Sequence, residues 1–506
     1  MSPLELDRRD VLAGIGAAAL AGGAARAAPG SRPNLVLFFL DELRADALAC
    51  YGNPVTRTPN FDALAAQGTR FAECHVQNPV CAQSRCSLLT GWPTSVRGHR
   101  SLYYLLQPNE PNLFRYLKQA GYDVFWFGKN DAFAQATFPD SVTRWADVNH
   151  AAEYAALGKV AKDDRLASSA MLFPGGGDRR ATSDYGLLQK AVEVLERREA
   201  DKPFCIFLPL ISPHPPYRAP EGFDGMYDPG KLPPLAPPGL AGKPSYFEGL
   251  RSYYKLDRVT DAELRKVRAT YYSQVSYADW LLGEFLAALE RTGHAGDTAL
   301  FVSADHGDYA GDYGLIEKWP SGLESCLTHV PLIARTPGGA AGHVVPQMVE
   351  LYDVMATMLD LAGAKATHTH FARSLTPQLK GAAGDPARAA FSEGGYNVYE
   401  PQAFEPFIPG LYGPKTSLEN DRPETVQRAA SVKTPDHTLI VRTKDRSELY
   451  DRRADPKETR NLIDSRAHAS VRQALETRLL NWYVETTGVP DTKRDPRDLP
   501  PFTPRA

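Results

Sequence analysis

Four segments of the chain share one pattern, a short apolar, β-prone run that ends abruptly in polar residues. Asn34-Leu-Val-Leu-Phe-Phe-Leu runs into Asp41-Glu42, and Tyr122-Asp-Val-Phe-Trp-Phe-Gly runs into Lys129. Pro203-Phe-Cys-Ile-Phe-Leu leads to Ser212-Pro-His214, and Thr298-Ala-Leu-Phe-Val-Ser-Ala leads to Asp305-His306-Gly307-Asp308. Continuous apolar runs of this length suit strands buried on both faces, as in a parallel sheet. Helical spacing lies between them, over 61–67, 113–119, 185–196 and 271–290. The alternation predicts an α/β fold, a doubly wound, mostly parallel sheet flanked by helices. Ligands in such sheets bind at the carboxyl ends of the strands, so the four polar clusters are expected to meet along one edge.

The pattern changes after Gly363. His437-Thr-Leu-Ile-Val-Arg reads as a strand and 469–483 as a helix, which places a smaller α+β domain over 375–490, behind a main domain over 33–370. The segment from Pro209 to Pro244 is crowded with proline and holds no period. It is read as a long excursion near the site, either shaping a substrate pocket or passive. The tail 491–506 is expected to be extended.

The N-terminus is read separately. Arg8-Arg9 precede an apolar run from Val11 to Leu20 and the Ala-x-Ala pattern Ala25-Arg26-Ala27. These are the parts of a cleavable export signal over 1–28, of the twin-arginine type, and they predict a periplasmic or secreted mature protein. The apolar run is too short to span a bilayer, and no other segment reads as a membrane span.

Composition narrows the classes. With 43% hydrophobic and 23% charged residues and a net charge of -3, the chain carries neither the basic stripe of a nucleic-acid binder nor the profile of a disordered protein. Any anion must therefore be held by a local cluster. Six cysteines stand at 50, 74, 81, 86, 205 and 326; their pairing is not legible from spacing.

Asp41, Glu42 and Asp305 offer hard oxygen ligands of the kind calcium takes, with His306 as a nitrogen neighbour. An acidic pair alone is commonly a solvated face or a helix cap. The Asp-His-Gly-Asp run is more telling, because it follows an apolar strand and contains a glycine suited to a tight exit.

Asn78-Pro-Val-Cys81-Ala-Gln-Ser-Arg85-Cys-Ser-Leu-Leu-Thr90-Gly91 resembles the signature of the sulfatases, members of the alkaline phosphatase superfamily, in which Cys-x-Pro-x-Arg opens a short helix ending in Leu-Thr-Gly. Further landmarks follow in family order: Asp41-Glu42, Thr58-Pro-Asn-Phe-Asp, Gly128-Lys129, Ser212-Pro-His214-Pro-Pro-Tyr217, Asp305-His306-Gly307, Glu317-Lys318, His329-Val-Pro-Leu-Ile and Glu448-Leu-Tyr-Asp. The resemblance spans nearly the whole mature chain. It implies that Cys81 is oxidised to formylglycine by a formylglycine-generating enzyme and that the hydrated aldehyde is the nucleophile. It further implies that Asp41, Glu42, residue 81, Asp305 and His306 surround one divalent cation, expected to be calcium. Arg85 is expected to steady the nucleophile, Lys129 and Lys318 to contact sulfate oxygens, and His214 to protonate the leaving group, because an imidazole titrates near working pH.

Three positions depart from the family pattern. Gln83 replaces the proline of the modification motif. Glu42 stands where Asp is usual, and Asp131 where a histidine is usual, which leaves Asp131 or His99 to take over that proton work. The implied reaction is hydrolysis of a small-molecule or saccharide sulfate ester. The alternatives are hydrolysis of a phosphonate monoester or phosphodiester, and a binding protein without turnover if Cys81 stays a thiol.

Overall fold

A computed structural model describes residues 32–148, 164–197 and 202–489. The signal read at 1–28 and the tail at 491–506 lie outside the described residues. Eight strands form the large sheet: β1 (Asn34–Asp41), β2 (Thr69–His75), β3 (Asp123–Phe127), β4 (Arg144–Ala146), β5 (Phe204–Pro213), β6 (Thr298–Ala304), β7 (His329–Arg335) and β8 (His343–Glu350). Their order across the sheet is β4-β3-β5-β1-β6-β7-β2-β8. Only β7 runs against its neighbours β6 and β2; the other pairs are parallel.

The four apolar runs are β1, β3, β5 and β6, and they are consecutive in the sheet as β3-β5-β1-β6. Every residue of β1 and of β6 is buried, which is why these strands read as unbroken apolar runs rather than alternating ones. Register then fixes where they end. Leu40 lies opposite Leu210 on one side and Ala304 on the other, so Asp41 and Asp305 leave the sheet at the same level. β1 bulges between Leu40 and Asp41, and Asp41 pairs with Pro213, one residue before His214. On the far side of β5, Lys129 N donates to Pro209 O at 2.8 Å. Gly128, at φ +147°, is required there, since a Cβ would stand 2.1 Å from the Pro209 carbonyl oxygen.

Helices cover the sheet, the longest being Asp261–Arg291. It begins ten residues earlier than its apolar period indicates, behind a capping box formed by Thr260 and Glu263. A second, antiparallel sheet holds β9 (Ala390–Gly394), β10 (Ala429–Lys433), β11 (His437–Arg442) and β12 (Glu448–Asp451), in the order β12-β11-β10-β9. The helix Ala469–Thr486 packs on it through Leu475, Leu479 and Trp482 around a small core of its own. The chain between β9 and β10 turns the other way: Tyr396, Ala403, Leu418 and Val426 belong to the large core. All six cysteines are free thiols. Among the described residues, no helix is long and apolar enough to cross a membrane.

Candidate active site

Cys81 is the first residue of the helix Cys81–Thr90, whose ten residues are all buried. Gly91, left-handed at φ +68°, closes the helix by donating its N–H to Ser87 O. Arg85 lies four residues beyond Cys81 and so shares its face. Gln83 points away and donates from Nε2 to the Arg100 carbonyl at 2.8 Å.

The sheet edge brings its polar clusters to this helix. Cys81 Sγ lies 3.2 Å from His306 Nε2, 3.5 Å from Asp41 Oδ1 and 3.5 Å from Lys129 Nζ. Arg85 is fully buried and spans both acidic strand ends. Its Nε donates to Asp305 Oδ2 at 2.9 Å, one terminal nitrogen to Asp41 Oδ2 at 3.0 Å, and the other to Lys129 O at 2.9 Å. Lys129 Nζ donates to Asp41 Oδ2 at 2.7 Å and lies 3.0 Å from Asp131 Oδ2. Lys318 Nζ reaches Glu42 Oε2 at 3.0 Å and His214 Nε2 at 3.1 Å, and it pairs with Glu317 at 2.8 Å.

Glu42 and Glu317 both adopt left-handed backbone, at φ +70° and +62°. For a residue with a side chain this costs on the order of 1 kcal/mol or more, and both positions hold carboxylates against Lys318. The glycine of the Asp-His-Gly-Asp run serves a different purpose from the one its sequence context indicates. Gly307 lets the loop pass the Cys326 carbonyl, where a Cβ would come within 2.0 Å.

The carboxylates divide their oxygens. Asp41 gives Oδ2 to Arg85 and Lys129 and turns Oδ1 toward Cys81 and His306, which lies 3.7 Å away. Asp305 gives Oδ2 to Arg85, while Oδ1 accepts from the Glu42 and His306 backbone N–H groups and lies 3.7 Å from His306 Nε2. Glu42 gives Oε2 to Lys318, and its buried Oε1 has no hydrogen-bond partner. The ligand atoms of Asp41, Cys81, Asp305 and His306 lie within 4.8 Å of one another, as do those of Asp41, Glu42 and His214. An orphaned buried oxygen beside an oxygen-rich cluster fits a hard divalent cation.

Burial and neighbouring charge set the protonation states. Burial pushes the Cys81 thiol far above its usual value, with Asp41 adding and Lys129 opposing, so the unmodified side chain is a protonated and unreactive thiol. Burial also raises the Asp41 carboxyl, but the cations Lys129 and Arg85 outweigh it and hold the group well below the carboxylate range. Glu42 goes the other way, pushed up by burial against Lys318. Burial and then Lys318 hold His214 well below the usual imidazole value. This alters the expectation for His214. It stands where the sequence places it, but as a neutral ring whose Nε2 accepts from Lys318 and whose Nδ1 faces Pro215 O at 2.5 Å.

Asp131 lies beside Lys129; burial raises its carboxyl, but Lys129 and Arg85 together keep it below the usual range. It is therefore an anionic anchor for the lysine rather than a proton donor. His99 does not reach the site: its ring is tied to Tyr104 O at 2.6 Å and Glu110 Oε1 at 3.1 Å. The other predicted site residues, Asp41, Glu42, Cys81, Arg85, Lys129, His214, Asp305, His306 and Lys318, converge in one cluster. Sequence reading assigned no role to Tyr217, whose hydroxyl donates to both oxygens of Asp308 and accepts from Glu317 N, tying two active-site loops together. It also assigned none to Lys415, which pairs with Glu317 at 3.0 Å. The proline-rich excursion lines the cavity over Cys81 through His214, Pro215, Pro216, Arg218 and Pro220.

Comparison with known proteins agrees with this geometry. The sulfatase family model matches residues 33–364. An arylsulfatase of Clostridium perfringens is 25% identical over 362 residues, spanning 65% of this chain and 75% of that enzyme. Mouse arylsulfatase K is 27% identical over 351 residues, 65% of this chain and 61% of its own length. The crystal structure of a phosphonate monoester hydrolase from Agrobacterium radiobacter superposes with a TM-score of 0.72 at 22% identity, covering 90% of this chain and 96% of that one; at that identity the likeness is one of fold. A match running from β1 through the whole catalytic cluster makes the chain a member of the sulfatase family, and with it a sulfuric ester hydrolase.

Proposed function

We propose that the protein hydrolyses a sulfate ester through a formylglycine made from Cys81, with a calcium ion held by Asp41, Glu42, Asp305 and His306. The observation that carries this reading is residue 81 itself. It stands at the head of a buried helix, within 3.5 Å of Asp41, His306 and Lys129, as a thiol that burial renders inert. When present, the cation supplies Lewis acidity toward sulfate oxygens and the formylglycine a hydrated aldehyde whose hydroxyl is the nucleophile.

The chain's own residues do the remaining work. Arg85 holds Asp41 and Asp305 at fixed separation through one oxygen of each and leaves the other oxygen of each turned toward His306. Lys129 and Lys318 offer compact positive charge to the sulfate oxygens, and the N-terminus of the helix that begins at Cys81 favours the same anion through its dipole. Lys318 also carries a proton beside His214. His214, neutral and 3.1 Å away, is placed to relay that proton or to take its place as donor once charged. Maturation by a formylglycine-generating enzyme and export to the periplasm by the twin-arginine route complete the proposal, on the strength of the Cys81–Gly91 signature and the Arg8-Arg9 leader.

Sulfate and a monoanionic phosphonate present similar oxygens to these cations, so matched substrates test the reading. Mature enzyme is expected to favour 4-nitrophenyl sulfate over 4-nitrophenyl phenylphosphonate in kcat/KM; a clear phosphonate preference contradicts it. Chelation should abolish turnover and calcium should restore it, with calcium found by elemental analysis of the purified protein. Tightly bound zinc is the contrary result. Asp131→Asn removes one of the two carboxylates that hold Lys129. Its expected effect is a loss of roughly tenfold in kcat/KM, the worth of about one charge-assisted hydrogen bond, with folding unchanged; an unaltered kcat/KM refutes the anchoring role.

A further inference from the structure

The cavity above Cys81 is much larger than a sulfate group requires. Its volume is about 580 Å³, within the range of pockets that enclose a whole small-molecule ligand. The catalytic cluster forms one side. Another comes from the chain between β9 and β10, through Glu405, Ile408, Tyr412 and Lys415. Lys415 is committed to Glu317.

Glu405 is placed differently. It is only 5% exposed, it lines the cavity, and among the described residues its carboxylate accepts no hydrogen bond. Its backbone N–H faces Glu419 Oε2 at 3.5 Å, and the buried Glu419 Oε1 also lacks a partner. Burial holds both carboxyls above their usual range, only partly relieved by Lys415. Unlike Glu42 Oε1 and Glu419 Oε1, the Glu405 oxygens are not sealed off, so a donor brought into the cavity can reach the carboxylate. A carboxylate, once ionised, only accepts; it therefore reads donors. Leu102, Ile408 and Tyr412 give the same cavity an apolar surface for the carbon skeleton between that donor and the sulfate.

We propose that Glu405 is a specificity-determining residue, whose carboxylate accepts a hydrogen bond from a hydroxyl or amino donor on the alcohol half of the ester. The proposal rests on the sulfate ester reading above and extends it from the scissile group to the alcohol. Three probes test it with the mature, calcium-loaded enzyme: 4-nitrophenyl sulfate, whose alcohol carries no donor, glucose 6-sulfate, which presents hydroxyls, and glucosamine 6-sulfate, which adds an ammonium. Glu405→Ala should lower the ratio of kcat/KM for a sugar ester to that for the aryl ester by at least about tenfold, mainly through KM. Glu405→Gln, which keeps an acceptor and the volume, should lower it less. A larger fall for glucosamine 6-sulfate than for glucose 6-sulfate identifies the donor as the ammonium, and the reverse identifies a hydroxyl. Equal losses on sugar and aryl esters mean a structural role and overturn the proposal, as does no change on either, or wild-type turnover of the aryl ester alone. Failure of the wild type on 4-nitrophenyl sulfate itself defeats the hydrolase reading and this extension with it.

Discussion

Cys81→Ala protein is expected to fold as the wild type does and to lose sulfate ester turnover by roughly ten-thousandfold or more, as enzymes do when the nucleophile itself is removed. The change deletes one sulfur atom from a helix whose other residues keep their packing, so Tm should move by only a few degrees. Asp41, His306 and Lys129 remain in place around the vacated position, and substrate affinity should persist because the sulfate-binding lysines are untouched. Retention of more than about a hundredth of the activity would remove residue 81 from the chemistry, since no background route through the remaining groups accounts for that much.

Arg85→Ala is expected to act on stability as strongly as on rate. The guanidinium is fully buried, with Asp41, Asp305 and the Lys129 carbonyl as its partners. Removing it strands two carboxylates in the core, of which only Asp41 keeps a cation. Breaking a buried pair in this way costs about 3–5 kcal/mol, read as a fall in Tm of the metal-free protein. Arg85→Lys should recover little, because one ammonium cannot span both carboxylates as the planar fork does. If the two stranded carboxylates belong to a cation site, calcium should raise the Tm of Arg85→Ala more than that of the wild type. A cost below about 1 kcal/mol, or a calcium response no larger than the wild type's, runs against the assigned roles of Arg85, Asp41 and Asp305.

The sheet was legible because its central strands are buried on both faces. β1, β3, β5 and β6 announce themselves as apolar runs, and the rule that ligands bind at strand carboxyl ends was enough to gather Asp41, Lys129, His214 and Asp305 before any geometry was known. The helix bearing Cys81 was legible only by family resemblance. Its ten residues are all buried although half are polar or charged, so no hydrophobic period marks it. The start of Asp261–Arg291 was missed because its first ten residues are rich in charge, although Thr260 and Glu263 spell a capping box in plain sequence. The neutral state of His214 could not be read from residue type, because it depends on burial and on a lysine 104 positions away. Glu405 and Lys415 reach the cavity by long-range packing of a segment without sustained period, and nothing local to them signals it.

Peptide mass spectrometry across residue 81, on protein taken from its native host, tests the account most directly. Formylglycine at position 81, in a fraction that tracks specific activity, is the predicted result, and it would show that Gln83 is accepted in place of the usual proline. An intact thiol at that position in fully active enzyme would contradict the account at its centre.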